Sequence, residues 1–238
     1  FDMKQKGVRV DLDKAEKIKN DLWNQEKKLR KEIQKLSGHF VEVWSAASVA
    51  KAFDALKIKY DRTPTGQPKF DKNFLSTHDS PLAKMVVNER EINKARTTFI
   101  DTIVKHSHRG RIHAEIHQMR SDDGGTVTGR FSYSNPNLQQ IPARHAILGP
   151  LIRSIFIPEK DHEWGIFDYS QQEPRIVVHY ASMKHFTGAD KFVDAYRDDE
   201  TTDFHKMVSE IADIPRKKAK TINLGLFYGM GKGKLMSQ

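Results

Sequence analysis

The stretch WGIFDYSQQEPRIVVHYAS, residues 164–182, predicts a short apolar strand that is followed at once by a helix. Asp168 ends the strand, where a turn exposes its carboxylate at a sheet edge as a candidate metal ligand or general base. Ser170 and Glu173 have capping-box spacing, and Pro174 falls in the first helical turn, where its missing N–H costs little. The alternatives are an ordinary turn residue for Asp168 and a capping role alone for Glu173.

The composition limits the possible functions. The 238 residues include no cysteine, which excludes disulfides, thiolate zinc sites and cysteine nucleophiles and suits a cytoplasmic location. No segment approaches the roughly 20 apolar residues that a membrane span needs, so no membrane partner is expected. The net charge of +9 and the pI of about 9.5 indicate a polyanionic partner, most commonly nucleic acid. A generic solubilising surface is the alternative.

The hydrophobic pattern predicts an α+β fold, in which a helical region of about 105 residues leads into a mixed body that ends in helices. The first helix should cover residues 11–36, with Asp13 as its N-cap and Gly38 at its end. Residues 63–71 and 122–125 are predicted to be turns. Further helices are expected from Ser45, over 81–105, and over 173–184, 189–196, 203–211 and 216–228. Strands are expected over 111–118, 126–134, 151–158 and 164–170.

The stretch PRKKAKTINLGLFYG, residues 215–229, predicts a helix with one distinctive face. Arg216, Lys220, Leu224 and Tyr228 are four residues apart, so each is rotated by only about 40° from the last. Cations near a helix N-terminus oppose the helix dipole and favour a bound anion such as a polyphosphate. The apolar and aromatic residues that follow could receive a ribose and a base. An amphipathic helix with a basic first turn is the alternative.

A third stretch, TVTGRFSYSNPNLQQIPAR at residues 126–144, is rich in hydrogen-bonding side chains on a turn-rich segment. Such side chains suit contacts with phosphates and with base edges in a DNA groove, and a polar surface loop is the alternative. The candidate DNA-binding residues of this stretch are Arg130, Asn137, Gln139, Gln140 and Arg144.

Two other ligand-binding patterns are not favoured. GMGKGK, residues 229–234, lacks the spacing of a P-loop, and no predicted strand precedes it. His113 and His117 are four residues apart, but the sequence between them does not match the H-E-x-x-H zinc motif, and the segment is predicted to be a strand. These motifs therefore predict neither a P-loop nor a zinc site.

Taken in order, these three stretches resemble the family A DNA polymerases, which include bacterial DNA polymerase I and phage replicative enzymes. TGRFSYSNPNLQQIPAR resembles their primer–template-binding segment, DYSQQEPR their motif A, and RKKAKTINLGLFYG their motif B, R-x3-K-x7-Y-G. GVRVDLDKAEKI and TPTGQPKFD resemble parts of their thumb. The resemblance implies a partial right-hand architecture, with a helical thumb-like region over 1–105, an antiparallel-sheet palm portion with motif A over 106–182 and a helical fingers portion over 183–238.

The resemblance also implies residue roles in DNA-directed DNA synthesis. Asp168 would bind two catalytic magnesium ions, helped by the backbone carbonyl of Tyr169, and Glu173 would exclude the ribose 2′-OH. Asp168 and Lys220 would be catalytic. The residues expected to bind the dNTP are Tyr169, Glu173, His205, Arg216, Lys220, Leu224 and Tyr228. Primer–template DNA would contact Arg130, Asn137, Gln139, Gln140 and Arg144.

The sequence departs from the family pattern at several places. Pro174 replaces an aliphatic residue, and Leu224 replaces an aromatic residue that faces the sugar of the incoming nucleotide. Motif C, which supplies the second essential carboxylate, is absent before Gln238. The chain is therefore expected to be a fragment that does not extend primers alone, in the cytoplasm of a bacterium or a phage-infected host. A non-catalytic DNA-binding module, or one half of a split polymerase completed by a second polypeptide, is the alternative.

Overall fold

The computed structural model describes residues 2–121, 124–143 and 145–236. The chain divides into two compact units, Phe1–Trp164 and Gly165–Gln238. Helices dominate both units, and small antiparallel sheets occur in the first, which confirms the predicted α+β class. The division into thumb, palm and fingers portions stays a prediction. Within the described ranges, no helix has the length and apolar character needed to cross a bilayer.

Among its described residues, the first unit contains helices and three small sheets. Its helices are α1 (Asp2–Lys6), α2 (Leu12–Ser37), α3 (Ala46–Ala55), α4 (Lys72–Thr77), α5 (Pro81–Lys94), the π-helix Ala95–Ile100, α6 (Asp101–His106), the 3-10 helix Leu138–Gln140 and α7 (Leu148–Arg153). Its strands are β1 (Val8–Arg9), β2 (Asp61–Arg62), β3 (Pro68–Lys69), β4 (Ser107–His108), β5 (Arg111–Ile112), β6 (Glu115–His117) and β7 (Ser132–Ser134). The sheets have the orders β1-β5-β4, β2-β3 and β6-β7, and all pairs are antiparallel.

The longest helix, α2, has its N-cap two residues earlier than the sequence pattern predicts. Its N-cap is Asp11, whose extended backbone lets the carboxylate accept the N–H of Lys14 at 2.9 Å. The predicted cap at Asp13 is wrong, because Asp13 already lies inside the first turn. Gly38 ends the helix as predicted, with a left-handed φ of 73° and an N–H bonded to the carbonyl of Gln34.

Three predicted strands of the first unit differ from the structure. Residues 151–158 do not form a strand: α7 covers their first part, and an isolated bridge pairs Phe156 with Val10. Ile152 and Ile155 are both fully buried and lie three residues apart, a spacing that fits a helical turn as well as a short apolar strand. Residues 126–134 are paired over Ser132–Ser134 alone, while the 111–118 segment is split between β5 and β6.

Apolar side chains of the first unit collect in two clusters. One joins α2 to the π-helix, α6, α7, β1 and β5 and contains Ile18, Leu22, Ile100, Ile103, Ile112, Ile152 and Ile155. The other joins the C-terminal half of α2 to α3, α4 and α5 and contains Ile33, Val49, Phe53, Phe70, Leu75, Leu82 and Val86. Both α2 and α5 contribute buried residues to the two clusters, so these two helices connect them.

A buried ionic network ties α2 to α5 and to the π-helix. The carboxylate of Glu26 is fully buried and accepts from Arg30 at 2.5 Å and from Arg96 at 2.9 Å. Asn93 donates to the same carboxylate at 3.0 Å. Arg30 also donates to Glu89, a second fully buried carboxylate, at 2.7 Å. The network therefore places two carboxylates and two guanidinium groups between the packed helices.

Replacing Glu26 by alanine should destabilise the chain by about 3–5 kcal/mol, because Arg30 and Arg96 would lose a buried counter-charge. The more exposed Glu32 of the same helix pairs with Lys28 at 4.0 Å, and Glu32→Ala should cost less than about 1 kcal/mol. Chemical denaturation followed by circular dichroism measures both. Equal losses of stability in the two variants would contradict the proposal that the buried network stabilises the chain more than an exposed ion pair does.

Burial raises the pKa of the Glu89 carboxyl above its ordinary value, although the hydrogen bond from Arg30 acts in the opposite direction. The folded state therefore keeps the Glu89 proton to higher pH than the unfolded state. The stability that protonated Glu89 contributes to the folded state is lost as the pH rises through the raised pKa. Glu89→Gln imitates the protonated form and keeps an acceptor for Arg30. Its stability relative to the parent chain should rise with pH above the ordinary glutamate pKa of about 4.3.

Thermal unfolding over a pH series measures this difference. The exposed Glu16 of α2 supplies a control variant, Glu16→Gln, for the same change of side chain on the surface of a helix. If the stability of Glu89→Gln changes with pH in parallel with that of the parent chain, Glu89 does not titrate as a buried carboxyl group.

Candidate nucleotide-binding site

The second unit contains the two stretches that the sequence links to nucleotide chemistry. Its helices are α8 (Gln172–Met183), α9 (Ala189–Asp198), α10 (Phe204–Ala212), α11 (Arg216–Phe227) and α12 (Lys232–Met236). The helices predicted in this part of the chain are thus confirmed to within a few residues. The sequence pattern locates them well because their apolar residues recur at helical spacing.

The predicted strand over 164–170 is wrong. These residues have no regular secondary structure, and Ile166 and Phe167 are 88% and 96% exposed. A strand needs a neighbour for its backbone groups, and among the described residues no strand pairs with this segment. Asp168 and Tyr169 are exposed on it.

The predicted capping box at the start of α8 is also wrong. The N-cap is Gln171, which has a left-handed φ of 54°, and no side chain caps the helix. The cap thus falls one residue after Ser170, so Ser170 lacks the N-cap geometry that a capping box requires. The carboxylate of Glu173 instead accepts the hydroxyl of Tyr228 at 2.6 Å.

This hydrogen bond joins the two sequence stretches in one site. Glu173 is in the first turn of α8, and Tyr228 is the C-cap of α11, 55 residues later. Glu173 is partly buried, whereas Tyr228 is exposed. The C-terminal end of α11 is therefore held against the beginning of α8.

The N-terminal end of α11 is held by an ion pair. Both Nε and Nη2 of Arg216 contact Oδ2 of Asp203, at 2.6 and 2.5 Å. The other oxygen, Oδ1, caps α10 by accepting the N–H groups of His205 at 2.9 Å and Lys206 at 3.1 Å. Partial burial acts to raise the pKa of Asp203, but these hydrogen bonds outweigh it and lower the pKa below its ordinary value. Asp203 is therefore an anion at neutral pH.

His205 is buried directly beside this ion pair. Burial lowers the pKa of its imidazole, as do the charges of Lys220 and Arg216, against the opposing effect of Asp203. The ring is therefore neutral at neutral pH. The amide of Asn223 lies 3.2 Å from Nδ1. With that amide as the donor, the ring proton sits on Nε2.

Lys220 lies one turn beyond Arg216 on the same face of α11 and is exposed. Within the part of the chain that the structure describes, no carboxylate lies within salt-bridge distance of its ammonium group. Leu224 follows one turn later and is half-buried, and Tyr228 ends the row. The face thus presents a neutralised cation, an unneutralised cation, an apolar residue and an aromatic ring, in the order that the sequence predicts.

Known DNA polymerases are similar to this chain along most of its length. Residues 12–238 match the model of DNA polymerase family A. The chain belongs to this family. It is 37% identical, over 98% of its length, to a DNA-directed DNA polymerase of Pseudomonas phage M6. It is 31% identical, over its whole length, to DNA polymerase DpoZ of Acinetobacter phage SH-Ab 15497. It spans 38% and 41% of these two proteins.

A solved structure is similar over the whole chain. The POL domain of Pol1 from M. smegmatis, in complex with DNA primer–template and dNTP, matches with a TM-score of 0.75 and 26% sequence identity. The chain covers 42% of that structure. The resemblance to family A that rests on the sequence motifs is thereby confirmed.

The DNA-binding residues expected from family A lie in the first unit. Some of them bond to other groups of their own loop, and their surroundings differ from one residue to the next. Asn137 accepts the N–H of Gln139 at 3.1 Å and so caps the short 3-10 helix, while the amide of Gln139 donates to the carbonyl of Phe131 at 3.0 Å. Both side chains therefore shape the loop itself. Arg130 and Gln140 are exposed. Arg144 lies outside the described residues.

Family A polymerases generally use divalent metal ions, and Asp168 is the expected ligand. Within residues 2–121, 124–143 and 145–236, no three histidine or acidic residues come together as a group that could hold a metal ion. Asp168 and the carbonyl of Tyr169 supply oxygen atoms of the kind that Mg²⁺ prefers, but two ions need more ligands than these. The described residues therefore do not by themselves fit the two-ion site.

Sequence reasoning missed three residues of the site. Asp203 carries the signal of an N-cap, an aspartate directly before a helix, but nothing in the sequence indicates its pairing with Arg216. Asn223 lies on the inner side of α11 and has no motif of its own. Gln171 bonds backbone groups near residue 203, and such contacts leave no periodic pattern.

The two glycines of motif B take part in the end of the helix α11. The N–H of Met230 bonds the carbonyl of Gly225 at 2.7 Å, and the N–H of Gly229 bonds that of Leu226 at 3.0 Å, which is a Schellman motif. Gly229 has a φ of 77°, and the Met230 side chain packs where a β-carbon on Gly225 would lie.

Gly229→Ala should therefore destabilise the second unit by roughly 1–2 kcal/mol, because alanine resists a left-handed backbone even where space is free. Gly231 also has free space around it but no positive φ, so Gly231→Ala is the matched control and should have little effect. Thermal unfolding compares them. Equal stability of the two variants would exclude the helix-stop role of Gly229.

Proposed function

We propose that this chain provides the nucleotide-binding part of a DNA-directed DNA polymerase, which transfers a nucleotidyl group from a dNTP to a primer 3′-OH under template direction. The observation that carries the proposal is the 2.6 Å hydrogen bond between Tyr228 and Glu173, because it brings motif A and motif B into one site. Family membership supports the reaction class. The chain spans less than half of its relatives, so the activity belongs to a larger protein.

The triphosphate would bind at the N-terminal end of α11. Lys220 is an exposed cation on the proposed face whose charge no carboxylate of the described residues neutralises, so it would attract the phosphates. Arg216 is held in place by Asp203 and can share its remaining N–H groups with a phosphate oxygen. The neutral His205 beside them can donate from Nε2. Nucleotidyl transfer depends mainly on such positioning and charge neutralisation.

The sugar and the base would lie further along the same face. Leu224 supplies an apolar contact for the sugar, and the ring of Tyr228 stacks at the nascent base pair. The Tyr228 hydroxyl fixes the carboxylate of Glu173, which would then stand where a ribose 2′-OH would have to fit. A fixed carboxylate discriminates between sugars better than a mobile one, because it cannot move aside.

DNA and magnesium complete the proposal. Primer–template DNA would bind the basic chain through phosphate contacts, with Arg130 and Gln140 exposed for this purpose. We propose Mg²⁺ as the divalent ion, with Asp168 and the Tyr169 carbonyl as the ligands that this chain would supply. The remaining ligands would come from other parts of the polymerase.

The alternatives, a non-catalytic DNA-binding module and one half of a split polymerase, rest on the incomplete set of metal ligands in the described residues. The protein would act in the cytoplasm of a bacterium or of a phage-infected cell.

The test compares Lys220→Ala with Lys217→Ala in the protein at its natural encoded length. Both lysines are exposed on α11, but Lys217 lies about 100° from Arg216 around the helix and thus off the proposed face. We expect kcat/KM for dNTP incorporation to fall by at least about 100-fold in Lys220→Ala and by less than about threefold in Lys217→Ala. Primer extension on a defined template measures both values.

Equal effects in the two variants would overturn the assignment of the site. A natural protein that binds primer–template DNA but incorporates no dNTP would support the DNA-binding module instead. The 238-residue chain alone should bind DNA without extending a primer, and magnesium-dependent extension by it would refute the view that further ligands are needed.

A further inference from the structure

We infer that Gln171 is a positioning residue that fixes Asp203, and through Asp203 the guanidinium of Arg216, for binding of the nucleotide triphosphate. The inference rests on the proposed function, since it assigns to Gln171 a task in that reaction. It depends on contacts within the second unit alone.

The side chain of Gln171 holds the backbone on both sides of Asp203. Its Nε2 donates to the carbonyl of Thr202 at 2.6 Å, and its Oε1 accepts the N–H of Phe204 at 2.8 Å. The hydroxyl of Tyr196 donates to the same oxygen at 3.3 Å. The residue before Asp203 and the residue after it are thus bonded to one amide, so the position of Asp203 is fixed from both directions.

Asp203 passes this constraint to α11. One carboxylate oxygen caps α10, and the other contacts two nitrogens of Arg216. Neither oxygen is free to turn without losing a contact. A displacement of the backbone at Asp203 therefore displaces Arg216, the first residue of the proposed phosphate-binding face.

A glutamine is the side chain that this arrangement requires. One end of the group must donate to a carbonyl while the other accepts an N–H, and an amide does both in a planar group of fixed size. Glutamate would place a second acceptor opposite the Thr202 carbonyl, and methionine offers neither group. Gln171 also keeps a φ of 54°, which is costly for a residue other than glycine and persists where the surroundings determine it.

A second side chain contacts the segment just before Asp203. Arg175, one helical turn after Gln171, donates to the carbonyl of Glu200 at 2.6 Å, and its guanidinium lies 4.3 Å from the centre of the Tyr196 ring. It contacts the turn three residues before Asp203. Gln171 is therefore the side chain that acts on Asp203 itself, and its position three residues after Asp168 ties the phosphate-binding helix to motif A.

The kinetic test uses Gln171→Met, Gln171→Glu and Tyr196→Phe in the protein at its natural encoded length. Single-turnover incorporation separates the apparent Kd for dNTP from the rate of the chemical step. We expect Gln171→Met to raise the Kd by about tenfold, with a smaller change in the rate. Tyr196→Phe, which removes the longest of the three hydrogen bonds, is the control and should stay within about twofold of the parent.

A double-mutant cycle with Arg216→Ala distinguishes positioning from general stability. If Gln171 acts through Arg216, Gln171→Met should weaken dNTP binding by less than about twofold once Arg216 is absent. Independent, multiplying effects of the two substitutions would overturn the inference. Should Gln171→Met fail to fold, as judged by circular dichroism, the same cycle with Gln171→Glu decides the question.

Amide hydrogen exchange tests the inference without any activity. In the 238-residue chain, Gln171→Met or Gln171→Glu should speed exchange of the Phe204 amide by about tenfold or more relative to Tyr196→Phe. Unchanged exchange at Phe204 would overturn the role of Gln171. An inactive parent polymerase would instead contradict the proposed function, and the exchange result would still show whether Gln171 holds the backbone around Asp203.

Discussion

The second unit depends on one carboxylate whose two oxygens have different tasks. Oδ1 of Asp203 satisfies the free N–H groups at the start of α10, and Oδ2 neutralises Arg216 at the start of α11. Two adjacent helices thus begin at the same anion. Because helix N-termini and cations are both stabilised by negative charge, a single aspartate sets the relative position of two helices that carry most of the proposed nucleotide contacts.

The first unit also has a carboxylate that connects two helices, but this carboxylate is buried. Glu26 is fully buried and binds one arginine of its own helix and one of the π-helix. Burial makes each of these contacts stronger and makes the loss of either partner more costly. Asp203 is partly exposed, and this suits the proposed role of its surroundings as a phosphate-binding site.

The sequence predicts the helices and the face of α11 because both depend on local spacing. The hydrophobic pattern locates α2, and the four-residue spacing from Arg216 to Tyr228 orders the proposed site. It fails at residues 164–170, because a strand is a relation between segments and the described chain offers no neighbour there. It also misses Gln171, because the partners of that side chain are backbone atoms, which have no sequence identity.

The exposure of the Arg216–Asp203 pair decides whether it would obstruct a nucleotide or prepare for one. Arg216 is 53% exposed, and exposed ion pairs contribute only about 0–1 kcal/mol. A triphosphate can therefore recruit the guanidinium at little cost, whereas a deeply buried pair would resist it. The pair is too weak to compete with a polyphosphate, yet the contacts of Nε and Nη2 with one carboxylate oxygen keep the planar group oriented before the substrate arrives. The arrangement thus favours preorganisation of the proposed phosphate site over inhibition of it.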